Sequence, residues 1–281
     1  MVRIAQRRIG SQMAGMRDLF LVATLVAIAS PASSLAASSA WLETDGGRVR
    51  LITSGVPDPG GTLRGALEID LKQGWKTYWR DPGASGVPPS IDVSASPNIA
   101  SAELSFPAPE RFDDGYGQWA GYKHSVVLPV TFTFNAPAQP TKIQANIFLG
   151  VCEAICIPVQ GQLTVDPASD PNDAADASVV QSALAALPLP ERADFGAFKV
   201  RSEPGTLVVE AKFPDHARRA DLFVASEHGY VFSTPERQEK DGQILFSVPI
   251  LDRPATPPAQ GAVPYTLVTD SGSVGGTLPF P

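Results

Sequence analysis

The stretch KIQANIFLGVCEAICIPVQGQLTV, residues 142–165, decides the fold of this chain. Residues 142–149 alternate between apolar and polar side chains, as a half-buried strand does, and residues 162–165 are predicted as its return partner. The only two cysteines of the chain, Cys152 and Cys156, fall between these runs. A three-residue loop at a hairpin tip can bring positions i and i+4 opposite each other at about 5.5 Å between Cα atoms, which suits a disulfide. The stretch therefore predicts an antiparallel hairpin with the cysteine pair at its tip.

The spacing of the two cysteines favours a pair that switches between dithiol and disulfide. In the chain-entropy model, a bridge that closes a loop of about 5 residues stabilises a protein by only about 2 kcal/mol, against about 4.7 kcal/mol for about 100 residues. A static bridge at the hairpin tip remains one alternative. A second is a Cu(I) site that combines both thiols with His124 or another histidine, because Cu(I) favours thiolate ligands. A closed zinc site needs four ligands, which two cysteines and scattered histidines are not expected to supply.

The N-terminus indicates the compartment. Residues 1–36 run from a segment with four arginines, through an apolar run at 19–29, to a segment of small residues, which is the order of a secretory signal peptide. The small residues of the cleavage site are Ser34 with Ala36, or Ser38 with Ala40. An uncleaved membrane anchor is the alternative, but the apolar run has 11 residues and a spanning helix needs about 20. We therefore predict a signal peptide at 1–36 and a periplasmic product, in a compartment where disulfides persist.

Charge excludes several kinds of partner. Removal of residues 1–36 takes away four arginines and one aspartate, which lowers the formal net charge from −7 to −10. An acidic chain without a basic run argues against nucleic acid and against anionic lipid as partners. No later stretch is long and apolar enough to cross a bilayer, so we expect no stable membrane insertion after signal cleavage. The chain has no nucleophile elbow and no phosphate-binding glycine loop, and we expect no resident cofactor.

Composition predicts an all-β protein. The chain contains 24 glycines and 27 prolines, which implies many turns, and its apolar residues come in short runs typical of a β-sandwich. Residues 41–165 are predicted as a first domain and residues 191–281 as a second one. The predicted strands are 48–53, 63–71, 126–134, 142–149 and 162–165 in the first domain, and 206–213, 220–225, 243–248 and 265–268 in the second. Pro129 places the early part of its strand at an edge or a bulge, because proline cannot donate to a ladder.

Residues 166–190 are predicted as a connector between the two domains. Apolar residues recur at roughly helical spacing between 174 and 187, which predicts one short helix. Asp173 can cap the start of that helix, and Pro188 would stop it. The aromatic residues Trp75, Tyr78 and Trp79 precede a turn and are predicted as core aromatics rather than as a ligand-binding surface.

Several motifs, in order, resemble one known family. They are GWKTYWRDPGASGVPPS at 74–90, FPAPERF at 106–112, Gly121-Tyr122 ahead of VLPV at 127–130, and LGVCEAICIP at 149–158. Together they resemble the N-terminal extracytoplasmic domain of the DsbD family of membrane thiol:disulfide reductases, and most of all its ScsB-type, suppressor-of-copper-sensitivity branch. The resemblance is strong over 41–165 and loose over 190–281. It implies immunoglobulin-like β-sandwiches, so we predict two such domains joined by a connector with a short helix.

The resemblance also implies roles for the cysteines and a loop that covers them. Cys156 matches the cysteine that is attacked in mixed disulfides, and Cys152 matches the one that resolves them. The cap loop that shields the pair in the family is similar to this chain at Asp113, Asp114, Tyr116 and Gly117. An aromatic residue that covers the cysteines in the family would fall at Gly115, so shielding is expected from Tyr116, Trp119 or Tyr122, or is absent. The gap of three residues between the cysteines is shorter than in the best-known members.

The implied activity is thiol–disulfide exchange in an electron relay. A membrane thiol reductase or another thioredoxin-like donor would reduce the pair, and the pair would reduce oxidised periplasmic thiol proteins. The chain has no Cys-x-x-Cys motif, so we expect the donor to be a separate module. Glu153 lies between the cysteines and would raise the pKa of a nearby thiol, which predicts a pair that depends on the thiolate of its partner. The alternative is an extracytoplasmic binding or assembly module whose disulfide is only structural.

Overall fold

A computed structural model describes residues 37–83, 86–113, 115, 117–214, 218–256 and 261–279. The predicted signal peptide at 1–36, with the cleavage positions Ser34 and Ala36, lies outside these ranges. The described residues form twenty β-strands and one α-helix, which confirms the predicted all-β class with a short helix. Within these ranges we find no helix with the length and apolar character that a bilayer crossing requires.

The first sandwich consists of two sheets. Its strands are β1 (Leu42–Thr44), β2 (Gly47–Ser54), β3 (Thr62–Leu71), β4 (Lys76–Tyr78), β5 (Ser90–Asp92), β6 (Ile99–Leu104), β7 (Glu110–Asp113), β8 (Gln118–Tyr122), β9 (Val126–Phe134), β10 (Ile143–Cys152) and β11 (Cys156–Val165). One sheet has the order β1-β2-β3-β9-β6. The other has the order β11-β10-β4-β8-β7, with β5 also paired to β10. The five predicted strands correspond to β2, β3, β9, β10 and β11.

The core of this sandwich lies between its two sheets. Side chains that alternate along the strands point inward, so that Leu67 and Ile69 of one sheet and Ile147 and Leu149 of the other belong to a single buried cluster. The ladder between β6 and β9 ends at Val130, although the N–H of Ser105 still donates a 2.8 Å hydrogen bond to the carbonyl of Pro129. The residues of β9 before Pro129 pair only with β3, so the early part of this strand lies at an edge, as predicted.

The helix α1 (Ala174–Ala185) covers the outer face of the five-stranded sheet. The carboxylate of Asp173 accepts hydrogen bonds from the backbone N–H groups of the second and third residues of the helix, which confirms the predicted N-cap. Val180 and Ala183 are buried against Ile52 of β2 and Ala66 of β3. The segment predicted as a connector is thus also part of the packing of the first sandwich.

The second sandwich follows the helix. Its strands are β12 (Leu189–Pro190), β13 (Gly196–Glu203), β14 (Thr206–Lys212), β15 (Ala220–Val224), β16 (Val231–Phe232), β17 (Glu236–Lys240), β18 (Gln243–Asp252), β19 (Ala262–Thr269) and β20 (Gly272–Pro279). One sheet has the order β12-β20-β19-β15, and the other has the order β13-β14-β18-β16 with β17 beside β18. The four predicted strands correspond to β14, β15, β18 and β19. Its core is a separate buried cluster that includes Leu207, Phe246 and Leu267.

Two long strands of the second sandwich escaped the sequence analysis for physical reasons. The strand β20 contains three glycines within residues 272–279, and its apolar positions are too sparse to show a period of two. The strand β13 changes its register against β14 between Lys199 and Arg201, which interrupts the alternation that marks a strand. Both strands owe their place to pairing with a neighbour rather than to their own pattern.

Candidate functional site

The two cysteines lie at the tip of the β10–β11 hairpin, as predicted. The hairpin pairs without interruption from Ile143 opposite Val165 to Cys152 opposite Cys156. The two cysteines form a disulfide, and their Cα atoms are 4.0 Å apart. This separation is nearer to the roughly 4.5 Å of a non-hydrogen-bonded antiparallel pair than to the expected value of about 5.5 Å. The hairpin thus fixes which two side chains face each other.

The two cysteine residues differ in their exposure to solvent. Cys152 is 1% exposed, whereas Cys156 is exposed at the start of β11. Ile155, which precedes Cys156, is 71% exposed, although apolar side chains of this size are usually buried. An incoming thiolate can therefore reach the sulfur of Cys156 far more readily than that of Cys152.

The hydroxyl of Tyr78 lies at both sulfurs. Its Oη atom is 3.1 Å from Sγ of Cys152 and 3.2 Å from Sγ of Cys156. Because neither sulfur of a disulfide carries a proton, the tyrosine O–H is the donor in this state. Tyr78 is 3% exposed, so it is buried as predicted, but it packs with Cys152 outside the core of the sandwich. This contact of Tyr78 with the two sulfurs was not predicted from the sequence.

Two glycines make room for the ring of Tyr78. A Cβ atom on Gly150, in β10, would lie 3.2 Å from the tyrosine ring, and one on Gly86 would lie 2.9 Å from it. The side-chain hydroxyl of Thr77 also donates a hydrogen bond of 2.9 Å to the carbonyl of Gly150, which holds β4 against β10. The absence of side chains at these glycines lets the tyrosine lie across β10 and reach the hairpin tip.

An aromatic cluster adjoins the buried cysteine. Trp119 of β8 is 4% exposed and packs with Tyr78 and Cys152, with its ring centroid 5.7 Å from that of Tyr78. Phe112 of β7 packs on the other side of Trp119 at a centroid distance of 4.4 Å. The Nζ atom of Lys76 lies 4.3 Å from the centre of the Trp119 ring, within cation–π range. Of Trp119 and Tyr122, the two shielding candidates that the structure describes, Trp119 is the one that lies beside the cysteines.

The predicted cap loop, residues 113–117, begins at the end of β7. Asp113 ends β7, and its carboxylate accepts a 2.9 Å hydrogen bond from the backbone N–H of Gly115. Gly115 and Gly117 both have positive φ angles and open space around the position of a Cβ atom. Asp114 and Tyr116 lie outside the described residues.

Tyr122 belongs to the core of the first sandwich. It is 9% exposed, and its hydroxyl donates a 2.9 Å hydrogen bond to the carbonyl of Pro107. Burial raises the pKa of Tyr122, so its hydroxyl stays protonated and keeps this bond. Tyr122 therefore anchors the end of β8 in the core of the first sandwich.

Charges of both signs lie near the cysteines. Glu153 is exposed, and its carboxylate lies beside Gly74, 3.3 Å from where a Cβ atom of that residue would be. Lys76 is the residue of β4 that faces Cys152 in the ladder. From the sequence only Glu153 was expected near the cysteines, because Lys76 comes from a strand that is distant in sequence.

The described residues do not contain a group of three His, Cys, Asp or Glu side chains that could hold a metal ion. His124, which was considered as a third ligand for Cu(I), is exposed next to the start of β9, and it forms no such group with the cysteines.

The first sandwich thus presents a disulfide at a hairpin tip, with Cys152 buried and Cys156 exposed. Residues 52–167 match the family model of the thiol:disulfide interchange protein DsbD, N-terminal. This segment of the chain therefore resembles a DsbD N-terminal domain, and the resemblance seen in the sequence is confirmed.

Solved structures give the second step of the comparison. The chain resembles the crystal structure of the N-terminal periplasmic domain of ScsB from Proteus mirabilis with a TM-score of 0.69 and 21% identity, over 87% of this chain and 98% of that chain. The fold of the chain is thus ScsB-like across both sandwiches. The N-terminal domain of DsbD from Neisseria meningitidis in the reduced form matches with a TM-score of 0.27 and 14% identity, over 42% of this chain and 83% of that one. No curated protein matches the sequence.

Proposed function

We propose that this chain is a periplasmic thiol:disulfide interchange protein that relays reducing equivalents through Cys152 and Cys156. The donor would be a membrane thiol reductase or another thioredoxin-like module, and the acceptors would be oxidised periplasmic thiol proteins. One observation carries the proposal: an exposed sulfur at Cys156 is bonded to a buried sulfur at Cys152, and the hydroxyl of Tyr78 lies within 3.2 Å of both. This arrangement separates the sulfur that is attacked from the sulfur that leaves.

The first half of the relay reduces the pair. A thiolate of the donor attacks Sγ of Cys156, a new disulfide forms between the two proteins, and the Cys152–Cys156 bond breaks. Cys152 leaves as a thiolate, which the O–H of Tyr78 can stabilise before it takes up a proton. The second thiol of the donor then loses its proton and attacks the first donor sulfur, which releases Cys156. Two electrons and two protons have passed from the donor dithiol to the pair.

The second half repeats these steps towards the acceptor. The thiolate of Cys156 attacks the acceptor disulfide, one acceptor sulfur leaves as a thiol, and a mixed disulfide forms. Cys152 then attacks Cys156, which restores the intramolecular bond and releases the reduced acceptor. The 4.0 Å separation of the Cα atoms keeps the resolving sulfur next to the mixed disulfide throughout.

Location and domain organisation belong to the same proposal. Residues 41–165 act as the redox domain, 166–190 as the connector and 191–281 as the second domain, after export by a signal peptide. The backbone around Ala37 and Ser39 already bonds to β2: the N–H of Ser39 donates to Leu51, and the carbonyl of Ala37 accepts from Thr53. Cleavage after Ala36 would preserve these bonds, whereas cleavage after Ala40 would remove them, so we favour the earlier site.

The reduction potential separates this function from a structural disulfide. We expect the pair to have a potential more oxidising than about −300 mV, since structural bridges typically lie below that value. The measurement is equilibration of the protein with a series of glutathione or dithiothreitol redox buffers, followed by alkylation and mass analysis of the dithiol fraction. A potential below about −300 mV would favour the alternative of an extracytoplasmic binding or assembly module with a static bridge.

Replacement of Tyr78 by phenylalanine should slow reduction of the pair about tenfold. The variant loses only the hydroxyl. A hydrogen bond to a charged group contributes about 1.5–3 kcal/mol, and each loss of about 1.36 kcal/mol in the activation free energy slows a reaction tenfold. The rate is measured by stopped-flow reduction with a small dithiol. Tyr122→Phe is the matched control, because it removes a buried hydroxyl that bonds to Pro107 and not to sulfur. Equal rates for the two variants would contradict the role given to Tyr78.

A further inference from the structure

The sheet that carries the cysteine site has a different neighbour on each face. On one face, Phe112, Tyr78 and Trp119 pack around Cys152. Because side chains alternate along a strand, the adjacent residues Arg111, Trp79 and Ala120 point to the other face. Every strand that supplies an aromatic residue to the site therefore also supplies a residue to the opposite side of the sheet.

That opposite side faces the core of the first sandwich, and the second sandwich contributes residues to this core. The ring of Trp79 contacts Phe223 of β15 at a centroid distance of 5.7 Å, with the rings in an edge-to-face arrangement. Phe223 and Ala225 belong to the buried core of the first sandwich, although they come from the second. The hydrophobic contact therefore joins the two sandwiches directly behind the site.

Polar contacts fix the same junction. The guanidinium of Arg111 bonds to the carboxylate of Asp221 at 3.1 Å through both Nε and Nη2, and to the carbonyl of Leu222 at 2.9 Å. The same guanidinium lies 4.4 Å from the ring centre of Phe223. The carboxylate of Asp81, three residues after Tyr78, accepts a 2.6 Å bond from the backbone N–H of Ser226. A forked arginine–carboxylate pair is directional, so it sets the position of β7 against β15.

We propose that the second sandwich is a positioning element for the cysteine site: β15 supports the strands β4, β7 and β8 from behind and so holds Tyr78, Trp119 and Phe112 around the disulfide. Arg111 is the central positioning residue, because it lies next to Phe112 in sequence and bonds to two residues of β15. This inference rests on the proposed function only in taking the cysteine pair as the functional site.

The physical reason is the short reach of the contacts at the sulfurs. A hydrogen bond weakens steeply once distance and angle depart from their optimum, and the Tyr78 hydroxyl serves two sulfurs that are both just above 3 Å away. The strand β4 has only three residues, from Lys76 to Tyr78, and the chain passes at once into Trp79 and Asp81 at the junction. Loosening the junction would therefore loosen β4 and open the cover over Cys152.

The test measures the protection of Cys152 in the full chain. In a Cys156→Ser background Cys152 is the single thiol, and its burial should make alkylation by iodoacetamide slow. Addition of Arg111→Leu should raise the alkylation rate about tenfold, and Asp221→Asn should raise it in the same direction. The charge swap of Arg111→Asp with Asp221→Arg should restore slow alkylation, which a general loss of packing would not do.

Arg48→Leu is the matched control. Arg48 bonds to Asp70 at 2.8 Å in the five-stranded sheet, away from the junction, and both side chains are more than 40% exposed. This variant should leave the alkylation rate of Cys152 unchanged. Circular dichroism would verify that each variant is folded, and Asp221→Asn is the milder change if Arg111→Leu does not fold.

Two results would overturn the inference. One is unchanged protection of Cys152 in folded Arg111→Leu and Asp221→Asn proteins. The other is faster alkylation that Arg48→Leu reproduces equally. Since alkylation of a single thiol requires neither donor nor acceptor, this test succeeds or fails independently of the reduction potential that tests the proposed function.

Discussion

Cys156→Ser should abolish exchange with any dithiol or disulfide partner, whereas Cys152→Ser should hold such a partner in a stable mixed disulfide. The exposed sulfur is the one that a partner can reach, so its loss removes the only accessible point of attack. In Cys152→Ser the mixed disulfide at Cys156 still forms, but no thiol remains nearby to resolve it. We therefore expect a long-lived covalent adduct with Cys152→Ser and none with Cys156→Ser.

The measurement is non-reducing electrophoresis and mass spectrometry after incubation with an oxidised disulfide substrate or with periplasmic extract. The double variant that lacks both cysteines controls for non-covalent association, and treatment with dithiothreitol must release the adduct. Equal trapping by both single variants would contradict the assignment of the attacked sulfur to Cys156. Absence of an adduct in every sample, together with a potential below about −300 mV, would favour the structural bridge.

The hairpin and most strands could be predicted because their signal is local. The alternation over 142–149 and the return run at 162–165 require no knowledge of other segments, and the open end of the hairpin, Ile143 opposite Val165, falls where the pattern places it. Towards the tip, both strands extend beyond the predicted bounds, to Cys152 and Cys156. The helix likewise has a local start signal in Asp173. The strands β13 and β20 lack such a signal, since a register shift and three glycines obscure their periodicity.

Only part of the site could be predicted, because much of it is assembled from segments that are distant in sequence. The two cysteines are close in sequence, but Tyr78 comes from a strand more than 70 residues earlier, and only sheet pairing brings it to the sulfurs. Trp75, Tyr78 and Trp79 form one aromatic run, which was assigned as a whole to the core. The alternation of β4 divides this run, because Trp79 enters the core and Tyr78 faces the disulfide.

Trp79→Ala should be the most destabilising single substitution at the junction, with a loss of about 3–5 kcal/mol in the free energy of unfolding. Trp79 is 1% exposed and is the largest of the fully buried side chains among the described residues. It fills the first core and also contacts Phe223 of the second sandwich, so its removal leaves a cavity against both. At roughly 2–4 °C per kcal/mol, the melting temperature should fall by about 10 °C.

Two probes show whether the cavity affects both sandwiches. All four tryptophans, at positions 41, 75, 79 and 119, belong to the first sandwich. Removal of Trp79, which contacts Phe223, leaves three tryptophans whose fluorescence reports the first sandwich. Circular dichroism reports the strands of both. If the junction couples the sandwiches, the two signals should coincide in the wild-type chain and separate in Trp79→Ala, because coincident transitions indicate a single cooperative unit.

Trp41→Ala is the comparison that isolates the junction. Trp41 is only partly buried. The Cζ atoms of Arg48 and Arg50, both residues of β2 in the first sandwich, lie 4.2 and 4.6 Å from the centre of its ring. Exposed cation–π contacts contribute about 0.5–1 kcal/mol each, so this variant should lose about 1–2 kcal/mol, less than Trp79→Ala, and keep its two transitions together. If Trp41→Ala separated the transitions as well, the coupling could not be assigned to Trp79. A single transition in Trp79→Ala would instead mean that the remaining contacts of Arg111 and Asp81 suffice to hold the two sandwiches together.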